Sequence, residues 1–263
     1  MRTLPIALTL AGSDSGGGAG VQADLKTFAA LGVHGTCAIT CLTAQNPKGV
    51  TAIQAATPAL VRAQIEAVFG ELRPAAVKTG MLFDTAIIRE VAEFFRTLRG
   101  PRPPLIVDPV MVATSGARLL KPAALRALQS ELLPLATLVT PNLDEAEILV
   151  GAKLRSPDDL RAAARAIHAR FGCAALVKGG HLRGQRDAVD VFFDGKQELL
   201  LTAPFVRGVA THGTGCTYSA AIAAHCARGH DLAKSVRFAK KFITRAIADS
   251  YRIGPHSALN PFA

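Results

Sequence analysis

Residues 137–178, TLVTPNLDEAEILVGAKLRSPDDLRAAARAIHARFGCAALVK, hold two short apolar runs with a helical pattern between them. Thr137 to Thr140 and Ala174 to Lys178 are apolar and β-rich without a polar face, so they read as strands buried on both sides. The spacing predicts a helix over Pro157 to Phe171. Ser156 stands as N-cap, Pro157 fills the first helical position, and Asp159 falls three residues after the cap. Strand, helix, strand implies a parallel pair joined by a crossover.

The same rhythm extends outward through the chain. Further strands are expected at Ile6 to Ala11, Thr36 to Thr43, Ala75 to Thr79 and Leu105 to Val110, with helices at Val61 to Leu72 and Ala86 to Arg99. The fold class this predicts is α/β, a mainly parallel sheet covered on both faces. Val189 to Phe193 and Glu198 to Thr202 flank Asp194-Gly195 and read as an antiparallel hairpin appended to that sheet. Val50 to Ala56 is a second extended piece, placed to line or cover a site. With 263 residues, 49% of them hydrophobic, and no repeat or low-complexity linker, one domain over residues 1–263 is expected.

Composition excludes several classes. No run is apolar enough for a membrane span, and the N-terminus MRTLPIALTLAGSDSGG lacks a convincing cleavage site, which points to a cytoplasmic protein. Cys37, Cys41, Cys173, Cys216 and Cys226 are odd in number and without zinc-ligand spacing, so neither a disulfide framework nor a structural metal is supported. The net charge of +10 is scattered, Trp is absent and Tyr occurs twice, so nucleic acid is not an expected partner. A basic surface that attracts nucleotide phosphates accounts for the charge.

Ligands of open parallel sheets collect at the carboxyl ends of the strands, and polar motifs stand there six times. They are the glycine-rich run from Gly12 to Gly20, Ala44-Gln45-Asn46, Lys78-Thr79-Gly80-Met81, Asp108-Pro109-Val110-Met111, Thr140-Pro141-Asn142-Leu143-Asp144-Glu145 and Lys178-Gly179-Gly180-His181. The first run lacks the ending of a P-loop; its glycines let the backbone approach a small ligand. Asp24 either contacts that ligand or complements a helix N-terminus. Asp108, Asn142 and Glu145 are oxygen donors of the kind Mg²⁺ takes, usually through water and with nucleotide phosphates, although Glu145 also suits a first-turn helix acid. Lys178 can neutralise a phosphate or snorkel from a strand end. Gln45 carries a donor and an acceptor, matching the edge of a nitrogen heterocycle.

A further loop, Thr211-His212-Gly213-Thr214-Gly215-Cys216, runs into the small-residue helix that begins TYSAAIAA. The first turn of a helix leaves amides without intrahelical partners at the positive end of the macrodipole, a natural seat for phosphate. That field is expected to lower the pKa of Cys216 and favour its thiolate. Alternatively the glycines only permit a tight turn and Cys216 fills space.

Taken in order, GSDSGGGAGVQADLKTF, TAQN, VKTGM, VDPVMVATSG, VTPNLDEAE, VKGGH and HGTGCTYSAAIAA resemble the hydroxymethylpyrimidine/phosphomethylpyrimidine kinases of thiamine biosynthesis, members of the ribokinase-like superfamily. The resemblance implies a three-layer α/β/α sandwich and a kinase that uses ATP and Mg²⁺ on 4-amino-5-hydroxymethyl-2-methylpyrimidine, then on its monophosphate. It implies that Cys216 is the catalytic base beside an anion hole of Gly213, Thr214 and Gly215. Gln45 would meet the pyrimidine, Gly12, Met81 and Val110 would line its pocket, and Asp24 would be a further substrate contact. Lys178, Asn142 and His212 would serve the nucleotide and its phosphates, and Asp108, Asn142 and Glu145 the metal. The partners implied are the small pyrimidine, ATP and a second copy of the chain in a homodimer.

The chain departs from the family pattern at Pro47-Lys48, at Ala210, at Thr114 with Ala117-Arg118, and in its C-terminal Ile253-Gly254-Pro255-His256. None of these touches Cys216 or Gln45. Two other readings stand beside this one: a pyridoxal or pyridoxine kinase of the same cysteine-bearing branch, and a non-catalytic pyrimidine-binding protein that keeps the fold.

Overall fold

The computed structural model describes residues 3–111, 120–180, 182, 186–206, 209 and 212–262. The motif positions Val112, Ala113, Thr114, Ser115 and Gly116, together with Ala117, Arg118, His181, Ala210 and Thr211, lie outside them. In chain order the elements are β1 (Ile6–Ala11), α1 (Gly20–Ala30), β2 (His34–Ile39), β3 (Cys41–Asn46), β4 (Gly49–Ala55), α2 (Pro58–Glu71), β5 (Ala76–Thr79), α3 (Thr85–Thr97), β6 (Leu105–Val107) and α4 (Pro122–Ala127). There follow β7 (Leu138–Val139), α5 (Leu143–Val150), α6 (Pro157–Phe171), β8 (Ala174–Lys178), β9 (Asp187–Phe193), β10 (Glu198–Pro204), α7 (Thr214–Ala227), α8 (Leu232–Ala248), β11 (Tyr251–Ile253) and β12 (His256–Ala258).

The main sheet runs β10-β9-β8-β7-β6-β5-β1-β2. Pairings from β8 through β2 are parallel, and β9 is antiparallel to both its neighbours, so the expected hairpin is there. Side chains of successive strand residues leave on opposite faces and build two cores. Leu8, Leu10, Val77, Leu105, Val107 and Val177 pack on one side under α2, α3 and α6. Ala7, Ala76, Ile106, Leu138, Leu176 and Phe192 pack on the other against α7 and α8. The architecture is the α/β/α sandwich that was expected. Helix α7 is buried at every residue from Thr217 to Ala227, which requires the all-round apolar, small-residue surface its sequence has.

The expected strand over Thr36 to Thr43 is two strands. Thr40 breaks it: its N–H donates to Ala11 O at 3.1 Å and its hydroxyl to Met81 O at 2.7 Å, which turns the chain off the end of β1. Beyond that point β3 pairs with β4 as a separate antiparallel hairpin, with a register shift between Ala44 and Gln45. This is the extended piece anticipated from Val50 onward. The strand expected over Leu105 to Val110 ends at Val107, because Pro109 has no N–H to give and Val110 N–H turns back to Asp108 O.

Candidate active site

A cavity of ≈ 520 Å³ lies where the carboxyl ends of β1, β5, β6, β7 and β8 meet the start of α7. Gln45, Val50, Ile53, Met81 and Val110 line it, as do Phe205, Val206, Ile243, Thr244 and Ile247. Gly12, Asp108, Asn142, Glu145, Lys178, His212, Gly213, Thr214, Gly215 and Cys216 border the same space. Of the site residues expected from sequence, Asp24 alone does not.

Two glycine-rich loops interlock at this wall. Gly213 caps α7 at φ +81°, and a Cβ there would stand 1.8 Å from Gly18 O, so no side chain fits. At Gly12 a Cβ would strike Cys41 Sγ at 2.6 Å. Asp14 organises the first loop by accepting from the N–H groups of Gly16, Gly18 and Ala19 at 2.8, 3.1 and 2.8 Å.

Asp24 is wholly buried and belongs to a different structure. Its carboxylate accepts two bonds from Lys78 Nζ, at 2.9 and 2.7 Å, and one from Thr9 Oγ1 at 2.6 Å. Three bonds from two donor groups occupy the carboxylate, which has no exposed surface, so a buried ion pair stands in place of the expected substrate contact. Lys78, unassigned from sequence, is fully buried and lines the cavity floor. Burial opposes its charge, but Asp24, with Asp108 beyond it, outweighs that and holds the ammonium.

Cys216 is not the acidic thiol that the helix field alone would give. Burial pushes it up to about 11, against the pull of Lys78 and of the Gly20 N–H. The helix amides lower a thiol by roughly the energy of a partial charge, whereas taking a half-buried thiolate out of most of its water, with Asp24 and Asp108 nearby, is the larger effect here. At neutral pH the group is a thiol.

Lys178, at the end of β8, donates to Asp108 Oδ1 at 3.2 Å. Asp108 also accepts from Thr140 Oγ1 at 3.2 Å and Ser219 Oγ at 3.3 Å. Lys178 Nζ lies 3.3 Å from the point where a Cβ on Gly215 would stand, so a side chain at Gly215 would crowd the ammonium against the loop. Asn142 and Glu145 close the N-terminus of α5 as a capping box: Asn142 Oδ1 accepts from Glu145 N–H, and Glu145 Oε2 from Asn142 N–H, both at 2.9 Å. Glu145 Oε1 takes Met111 N–H at 3.2 Å. Burial and the nearby Asp108 push Glu145 up to about 7, with Lys178 opposing. Among the described residues no three of His, Cys, Asp and Glu gather as a metal cluster. Asp108 and, where it ionises above about pH 7, Glu145 together outnumber the one ammonium of Lys178 at the wall, and that suits a cation bridged by water.

A third pair escaped the sequence reading. Lys240 Nζ donates to Asp190 Oδ2 at 2.7 Å and to Ala188 O at 3.2 Å, beside Ile243 and Thr244 on the cavity wall. The signal was present: Lys240 interrupts the buried stripe Val236, Ala239, Ile243, Ala246 of α8, where a lysine needs a partner. Lys78 stands in the same way inside the fully buried β5.

Residues 14–260 match the family described as phosphomethylpyrimidine kinase. The chain belongs to this family. The kinase is 49% identical to the hydroxymethylpyrimidine/phosphomethylpyrimidine kinase of Synechococcus elongatus over 95% of the chain and 94% of that protein. It superposes on the phosphomethylpyrimidine kinase of Clostridium difficile with a TM-score of 0.82 at 41% identity, covering 92% of the chain and 99% of that one. It is also similar to the pyridoxal kinase of Staphylococcus aureus, whose structure is in complex with AMP-PCP and pyridoxal, with a TM-score of 0.89 at 33% identity over 100% of the chain and 95% of the other. No described helix of the kinase is long and apolar enough to cross a membrane.

Proposed function

We propose that this kinase, acting as a single domain, transfers the γ-phosphoryl group of ATP to the hydroxymethyl group of 4-amino-5-hydroxymethyl-2-methylpyrimidine and then phosphorylates the monophosphate to the diphosphate, on the route to thiamine. The observation that carries the reading is one shared cavity: Gln45, the loop of residues 213–216 and Lys178 all border it. Gln45 binds the heterocycle, with Met81 and Val110 as wall. The loop amides and Lys178 take up charge on the phosphoryl group in flight, where fixed donors act without reorganisation. Mg²⁺ carried on the nucleotide phosphates would be held through water by Asp108 and Glu145 and would offset their charge. Cys216 receives the hydroxyl proton in its thiolate form, the minor one at neutral pH, and the charge of Lys78 favours that form.

The chain's 49% identity to a hydroxymethylpyrimidine/phosphomethylpyrimidine kinase against 33% to a pyridoxal kinase favours the pyrimidine, while the close superposition on the latter keeps pyridoxal as the second substrate to assay. Homodimeric assembly in a cytoplasmic setting completes the proposal, and sedimentation would check the dimer. The deciding experiment is product analysis with ATP and each alcohol. A pyrimidine monophosphate followed by a diphosphate is expected, and Cys216→Ala should slow turnover by about 10²- to 10⁴-fold while still binding nucleotide. A chain that phosphorylates only pyridoxal, or consumes no ATP, overturns it.

A further inference from the structure

Two neighbours fix the side chain of Gln45. Its Oε1 lies 3.3 Å from Thr43 Oγ1 and its Nε2 3.4 Å from His212 Nε2. The two ends of an amide have nearly the same shape, so the hydrogens around them decide which is oxygen and which nitrogen. Thr43 has one hydroxyl proton, and it goes to Ser13 O at 2.8 Å. Toward Gln45, therefore, Thr43 accepts. His212 Nε2 lies 3.2 Å from Asp14 Oδ2. Burial tends to raise Asp14, but bonds from His212 and from the N–H groups of Gly16 and Ala19 outweigh it and hold the carboxyl below its usual range. An ionised carboxylate only accepts, so His212 Nε2 carries the proton. A second donor cannot face it at 3.4 Å with profit.

We propose that the Gln45 amide is turned end for end from that placement, its NH₂ donating to Thr43 and its carbonyl oxygen sharing the one Nε2 proton of His212 with Asp14 Oδ2 in a three-centre bond, and that this orientation sets which way round an aminopyrimidine lies in the site. The inference rests on the reading that Gln45 meets the pyrimidine. Each amide atom keeps one valence for the ligand, an N–H on the Thr43 side and a lone pair on the His212 side. A 4-aminopyrimidine offers the complement, an exocyclic N–H beside the ring acceptor N3. Pairing puts the amino group on the side of His212. The hydroxymethyl group, on the carbon next to the amino-bearing one and opposite N3, is then carried toward the loop that runs from His212 to Cys216. With the amide the other way round, N3 would take that side and the alcohol would turn toward Thr43. His212 and Thr43 are thus positioning residues, acting through Gln45.

A 4-oxo analogue reverses the pattern, with N3–H as donor and the carbonyl as acceptor, and so reads the amide directly. The ratio of kcat/KM for the 4-amino over the 4-oxo substrate is the measurement, because general damage to the fold lowers both and leaves the ratio. His212→Phe and Thr43→Val are each expected to shrink it about tenfold, the worth of one neutral hydrogen bond, and Thr43→Ser to preserve it. An unchanged ratio in both variants, with Gln45→Ala collapsing it, overturns the positioning role and leaves Gln45 as the reader. An unchanged ratio in Gln45→Ala removes the reading of Gln45 itself and the inference with it. Should His212→Phe fail to fold by circular dichroism, Thr43→Val decides alone.

Discussion

Lys78–Asp24 and Lys178–Asp108 are the same kind of ion pair at two strand ends of one sheet, yet they are built to opposite specifications. Asp24 gives both oxygens to Lys78 and takes a third bond from Thr9, with neither partner exposed. Asp108 is shared among Lys178, Thr140 and Ser219 at longer range, and the Lys178 side chain keeps 13% of its surface open. A closed pair holds a fixed charge under the Cys216 thiol and can do little else. An open pair has an ammonium with N–H groups to spare, which an incoming phosphate can take. Geometry around the lysine, and not the residue type, separates scaffold from working group.

The largest effects should split along that line. Lys78→Met strands a buried carboxylate and is expected to cost about 3–5 kcal/mol in chemical denaturation, most of it recovered in the Lys78→Met/Asp24→Leu double variant, since an apolar pair of similar volume replaces a buried ion pair well. Lys178→Met should cost much less stability and instead lower kcat by about 10²- to 10³-fold, as for loss of one fixed donor to a transition-state anion. If Lys178→Met unfolds the protein and leaves kcat alone, the two pairs have been assigned the wrong way round.

A smaller effect concerns the thiol between them. With Cys216 near 11, the thiolate fraction at neutral pH is slight and grows about tenfold per pH unit. If Cys216 acts as thiolate, kcat should climb with that slope across about pH 6 to 9 in single-turnover measurements, and Cys216→Asp should be flat there because a carboxylate is already ionised. Iodoacetamide should for the same reason modify Cys216 slowly at neutral pH. Rapid, selective alkylation would mean that the site lowers the thiol far more than burial raises it.

Sequence reading reached the parts whose causes are local. The bounds of β1, β8 and α6 agree with the structure residue for residue, and for α6 the reason is visible: the Ser156 and Asp159 capping box at its start and Gly172 at φ +76° at its end. The part of the cavity wall at the strand ends was also legible from position, and the loop of residues 212–216 from the helix it opens, whereas Phe205, Val206 and the α8 residues Ile243, Thr244 and Ile247 were not. What was not legible depends on partners remote in sequence. Asp24 and Lys78 are 54 residues apart, so nothing near either shows that they neutralise each other. Thr40 breaks a continuous apolar run through bonds to Ala11 and Met81 that exist only once β1 and β5 are paired. The Cys216 thiol was misjudged because the field of a helix can be read from its first turn, while the depth of burial belongs to the whole fold.

The smallest expected effect sharpens the open pair. Burial and Asp108 raise Glu145 from 4.5 to about 7, with Lys178 and the N–H groups of Asn142 and Met111 opposing. The folded protein therefore holds the proton more tightly than the unfolded chain does. By linkage, the stability this group contributes is complete below its ordinary value and is lost as pH rises through about 7. Glu145→Gln keeps an oxygen for the cap and cannot titrate, so it should flatten the fall in stability across that window, by at most about 3 kcal/mol. Asp14, lowered by its bonds from His212 and the loop amides, has the opposite sign and works below that window. A slope that survives unchanged in Glu145→Gln would place the spare negative charge on Asp108 instead. Lys178 would then be wholly committed to its own partner, and the contrast between the open and the closed pair would disappear.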